Sequence, residues 1–179
     1  MVVASVRRMK FVLGAVLATL LMGCGVHEPQ AVVSRQVFPD PRVTVDGSAM
    51  VSTAQPSAGP CAAYAVPIDG SQAFEAEISA AAADALGARA TRVSVVGKRI
   101  VARFTFEPRT LGSLNASPAV TLDAEISIAG SAPSPIQWTA AATRPISNLC
   151  DGLGPAVADA YRAALRGLVA QVRERVAGR

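Results

Sequence analysis

The chain has 179 residues with a formal net charge of +4, one histidine and three cysteines. The lone histidine, His27, excludes a Ser-His-Asp or Cys-His arrangement and a His/Cys zinc site from any domain that folds after it. Three of the 17 basic residues (Arg7, Arg8 and Lys10) lie in an N-terminal leader, so the remaining 14 face 13 acidic residues. The rest of the chain is thus near neutral, and nucleic acid is not an implied partner.

The leader comes first. Arg7, Arg8 and Lys10 precede an uncharged apolar run, Phe11 to Leu21. That run is too short for a bilayer core, which takes about 20 helical residues. It has the charged and apolar zones of a secretory signal peptide spanning residues 1–23. Leu21-Met22-Gly23-Cys24 follows at once and resembles the bacterial lipobox, with Met22 at its looser position. The resemblance implies cleavage between Gly23 and Cys24 and acylation of the Cys24 thiol. Several acyl chains hold a protein on a membrane far more stably than one. Gly25, rather than Asp, follows Cys24, which by the sorting rule of enteric-type bacteria implies the outer membrane, facing the periplasm. No later apolar stretch reaches the length of a membrane span.

Residues 24–42 contain Pro29, Pro39 and Pro41 and little periodicity, and read as a lipidated tether. Residues 43–60 read as a short hairpin, Val43 to Val51 turning at Asp46-Gly47, followed by a loop. Export places Cys61 and Cys150 in an oxidising compartment once Cys24 carries lipid. One disulfide is the default expectation, and two buried free thiols are the alternative.

A single domain is expected over residues 61–177. Cys61 to Ile68 alternates like a strand, with Tyr64, Val66 and Ile68 on one side. Phe74, Ile78, Ala82 and Leu86 recur at helical spacing, so Ser71 to Leu86 is a helix, capped by Asp69 or Ser71 and ended by Gly87. Arg92 to Val96 and Arg99 to Phe106 read as strands joined by a Gly97-Lys98 turn, and Pro108 to Pro118 as a loop. Ala119 to Ile128 alternates strictly, as a strand with one buried and one wet face does. Ser131 to Pro135 turns into a last strand through Ile136, Trp138 and Ala140. A long helix closes the chain, about Pro155 to Ala177, with Val157, Tyr161, Leu165, Leu168, Val172 and Val176 as its apolar stripe. The expected fold class is α+β: a two-layer sandwich with a mainly antiparallel sheet of about four or five strands and two helices on one face.

Little in this sequence marks chemistry. No dinucleotide, phosphate or calcium loop is present, so no cofactor or metal is implied. Gly152-x-Gly154 before the last helix is the nearest approach to an anion site, and ordinary helix-start geometry explains it. Asp123 and Glu125 share a strand face and could act as an acid–base or metal pair. Arg99 and Arg103 on the neighbouring strand favour cross-strand ion pairs instead. The small side chains of Ser79 to Ala90 could leave room for a bound lipid, or let helix and sheet approach closely.

The order of lipobox, strand, Ala-rich helix with Leu86-Gly87, Arg99 to Glu107, Val120 to Ile128 and terminal helix resembles the YajG-type small envelope lipoproteins. It is also similar to the auxiliary lipoproteins of ABC-type lipid-transport systems. The resemblance spans residues 61–177 and carries no catalytic residues. It implies a non-enzymatic accessory of envelope transport or assembly whose partners are the membrane, through its lipid, and other envelope or transporter proteins. A carrier of lipid or a small apolar ligand is the second reading, and a periplasmic enzyme a remote third.

Overall fold

The computed structural model describes residues 39–178 apart from 111–112 and 148–149; the leader, the Gly23–Cys24 junction, His27 and residues 24–38 lie outside them. The elements run β1 (Val43–Asp46), β2 (Val51–Ala54), β3 (Val66–Asp69), α1 (Ser71–Leu86), β4 (Val93–Thr110), β5 (Ser113–Ile128), β6 (Ser134–Ala141), β7 (Arg144–Ser147) and α2 (Leu153–Ala177). They make an α+β fold with a five-stranded mixed sheet, ordered β1-β4-β5-β6 with β7 also on β5, and a separate β2-β3 ribbon. β1 is parallel to β4, and the remaining pairs are antiparallel.

Alternation builds the sheet. In β5 the side chains of Val120, Leu122, Ala124, Ile126 and Ile128 are buried while their sequence neighbours are not. Helical spacing builds the second layer. Phe74, Ile78, Ala81, Ala82 and Leu86 of α1 are buried, as are all six residues of the expected α2 stripe. Each large side chain so buried contributes about 1.5–3 kcal/mol. The helices run side by side in the same direction. Tyr161 Oη, in the third turn of α2, donates to Gly70 O at the start of α1 (2.8 Å), and Arg173 further along α2 reaches Asp84 near the end of α1 (3.8 Å).

Four local expectations are corrected. Asp46-Gly47 does not close a hairpin. Asp46 instead accepts the Ser48 N–H and Gly47 donates to Glu75 Oε1 (3.0 Å), which sends β1 to β4 and β2 to β3. β1 and Met50 therefore belong to the core of the same α+β unit. Only Val66–Asp69 of the Cys61–Ile68 segment is strand. Turns from Gly59 to Ala62 and from Cys61 to Tyr64 precede it, and Tyr64 is exposed.

Gly97-Lys98 is a β-bulge inside one long strand rather than a turn. The extra residue puts Lys98 and Arg99 on the outer face and returns Ile100 to the buried one. A Cβ on Gly97 would come within 2.6 Å of Met50 Cε and 2.9 Å of Met50 Cγ, so a larger residue there would displace the buried Met50 side chain. Finally, residues 108–118 mostly continue the β4 and β5 arms, and β7 was not foreseen. Pro118 is tolerated in a central strand for a specific reason. Its carbonyl accepts the Ala142 N–H (3.2 Å), so its missing donor faces the gap between β6 and β7.

The end of α1 is closed by arginines. The helix N-cap is Gly70 rather than the expected Asp69 or Ser71, with Asp69 Oδ1 accepting the Ser71 N–H beside it (3.2 Å), and Gly87 ends it at φ 53°. Arg42 then donates to Gly87 O (2.9 Å) and Arg89 O, and Arg89 to Leu86 O and Ala85 O. The Arg42 guanidinium and backbone N–H hold the Asp40 carboxyl at about 2, below the usual carboxylate range. These cations serve helix-end carbonyls.

Candidate interaction surface

Both helices pack on one face of the sheet, and among the described residues no other helix or strand covers the opposite face. Its central row is Ser117, Ala119, Thr121, Asp123, Glu125 and Ser127, the half-exposed positions of β5. The register sets Arg99 and Gln137 on either side of Asp123. Arg99 Nε bonds Asp123 Oδ2, and Gln137 Nε2 donates to Asp123 Oδ1 (2.5 Å). Lys98 Nζ lies 2.8 Å from Glu125 Oε2. Hydroxyls continue the ladder: Thr121 with Thr139 at 2.8 Å and Ser117 with Thr143 at 2.7 Å. Between the ion pairs lies a shallow depression open to solvent, lined in part by Lys98, Asp123 and Gln137.

The expected pairing is corrected in one respect. Arg99 meets Asp123, but Glu125 is met by Lys98, and Arg103 makes no ion pair among the described residues. The bulge is the cause. It brings Lys98 to the outer face and places Arg103 opposite Ala119. Asp123 and Glu125 are thus members of cross-strand bridges, each engaged by a cation. Exposed pairs of this kind contribute roughly 0–1 kcal/mol. Asp123→Asn should accordingly shift the urea-unfolding free energy by less than about 1 kcal/mol. A much larger loss would show that Asp123 has a task beyond the bridge.

Cys61 and Cys150 come together as a disulfide, their Cα atoms 5.8 Å apart and both residues buried. The bond ties the turn ahead of β3 to the turn ahead of α2. Gly152 caps α2 in a left-handed conformation (φ 90°), with Leu153 N–H donating to Cys150 O (3.2 Å) and Ala156 N–H to Gly152 O (3.0 Å). Gly152-x-Gly154 thus supplies the turn that opens the helix. Among the described residues no group of three or more His, Cys, Asp or Glu is placed to hold a metal, and no helix is long and apolar enough to cross a membrane.

Two participants were not foreseen. Lys98 was hidden by reading Gly97-Lys98 as a turn. Gln137 was legible, because it alternates with Ile136 and Trp138 along β6. Trp138 itself is 40% exposed at the sheet edge, and its indole lies where a Cβ on Gly167 of α2 would stand.

Neither protein-family models nor curated proteins match this chain. Its functional reading therefore rests on its own residues.

Proposed function

We propose that this protein is a lipid-anchored, periplasm-facing lipoprotein of the outer membrane. In this reading it acts as a non-enzymatic accessory of envelope transport or assembly through protein–protein contacts. The observation that carries the reading is the polar outer sheet face, left uncovered among the described residues and backed by a packed helical layer, on a chain whose Leu21-Met22-Gly23-Cys24 resembles a lipobox. A polar face with internally balanced charges suits reversible contact with other proteins, whose interfaces are about as polar as ordinary surface. The buried Cys61–Cys150 disulfide fits an exported chain. The likeness to YajG-type and transport-auxiliary lipoproteins points the same way. Ala81, Ala82, Ala160 and Ala164 are fully buried in the core, so they favour close helix approach over a lipid cavity.

Two measurements test the reading separately. Cys24→Ser should abolish incorporation of radioactive palmitate, and persistent labelling would remove the anchor. Cross-linking in intact cells should trap the wild-type chain with defined envelope proteins through its outer sheet face. Adducts that survive Asp123→Arg and Thr121→Arg together would place the contact elsewhere.

A further inference from the structure

From the geometry of β6 we infer that its outer edge pairs with the same edge of a second copy of this chain, antiparallel, joining two sheets into one. This goes beyond the accessory reading and does not depend on lipid anchoring. The backbone of β6 hydrogen-bonds to β5 alone, and its other row of backbone groups has no partner among the described residues. Proteins ordinarily blunt such an edge with charges, prolines or bulges. The open edge of β4 beyond Val96 follows that rule, carrying Lys98, Arg99, Arg103, Glu107 and Arg109, with Pro108 and a bulge. β6 departs from it. No charged residue occurs in sequence between Glu125 and Arg144, the one cation bonded to the strand, Arg175 of α2, meets Ser134 at its first residue (3.4 Å), and β6 after Pro135 is regular.

The backbone fixes the register that a second copy takes. Ala142 N–H points to β5, so by alternation Gln137, Thr139 and Ala141 present their N–H and C=O groups outward. Pro135 shares that row and has no N–H to offer. A two-fold centred on Thr139 pairs Gln137 with Ala141 of the second copy and Thr139 with its own equivalent. Every outward N–H from Gln137 to Ala141 then finds a carbonyl, and Pro135 falls outside. A centre at Gln137 would set Pro135 against Thr139 and lose bonds.

The side chains agree. On the helix side, Trp138 comes to lie against Ala140 of the second copy, a large ring beside a methyl group. Ala163 and Ala170 flank Gly167 on α2 at helical spacing, leaving low relief beside the seam. Half-exposed tryptophan is a frequent anchor of protein contacts.

The test uses the full-length chain. Thr139→Cys should give a disulfide-linked dimer on a non-reducing gel. Thr121→Cys, on the same face one strand inside, should give none. Trp138 is the only tryptophan, so wild-type emission should move to the blue as concentration rises, in step with a doubling of mass by light scattering. Thr139→Lys should weaken dimerisation about tenfold or more. A monomeric wild-type mass with unshifted emission would overturn the proposal, whatever the variants do. So would Thr139→Cys adducts formed only with a protein of different mass, since the edge would then serve another partner.

Discussion

Replacing Cys61 and Cys150 together by alanine should lower the unfolding free energy by about 4.5 kcal/mol, the chain-entropy value for a loop of this length. The sequence separation is 89, so the bond closes most of the domain into one loop. The location makes the expected loss local as well as global. The β2-β3 ribbon shares no ladder with the main sheet. It is joined to its surroundings by side-chain packing, by the Tyr161 hydroxyl on the residue after β3, and by the bond at Cys61. Hydrogen exchange of the ribbon should therefore accelerate before that of β4 and β5 in the variant. Chemical denaturation of the oxidised wild type against the double variant gives the magnitude. A difference below about 1 kcal/mol would mean that the unfolded chain is already compact enough for the bond to constrain little.

The elements most legible in the sequence are those fixed by local periodicity. β5 between Ala119 and Ile128 and the stripe of α2 could be read directly, because burial on one side imposes a period on the residues. The cysteine pairing followed from an even count after Cys24. What escaped is non-local or ambiguous in local chemistry. Glycine serves both turns and bulges, so Gly97 fits a turn as well in the sequence, and a turn there takes Lys98 off the outer face. Prolines at 108 and 118 spoke for a loop. Their tolerance depends on which side of each strand lacks a neighbour: for Pro118 that is set by where β6 leaves β5, while Pro108 lies on β4 beyond its pairing with β1. The parallel pairing of β1 joins residues 50 apart (Val43 with Val93) and has no local signature. Of the candidate surface, the Arg99–Asp123 bridge was accessible from alternation alone. The status of β6 as an uncharged edge was not, because it requires the strand order.

Gly70→Ala should destabilise the domain by about 3–4 kcal/mol, combining overpacking with the loss of a buried hydrogen bond. Gly70 has an ordinary φ of −105°, so the demand for glycine is steric. A Cβ there would overlap the Tyr161 ring. Three elements converge on this residue. Its N–H donates to Met50 O (2.8 Å), and its carbonyl accepts both the Phe74 N–H and the Tyr161 hydroxyl (2.8 Å each). The ribbon, α1 and α2 are thereby keyed to one peptide.

Tyr161→Phe should cost only about 1 kcal/mol, since Phe74 still satisfies the carbonyl. In a Tyr161→Ala background the added cost of Gly70→Ala should shrink by at least about 1 kcal/mol, because the clashing ring is gone. Strict additivity in that cycle would refute the contact. Alkaline pH offers an independent reading. Burial, reinforced by the charge of Asp69, pushes the Tyr161 phenol well above its usual value of 10.0. The native state thus favours the protonated phenol, so its contribution is full below pH 10 and declines as the pH rises beyond it. Tyr161→Phe should flatten that alkaline limb while leaving the neutral-pH profile otherwise unchanged. An identical alkaline decline in both proteins would assign it to other groups.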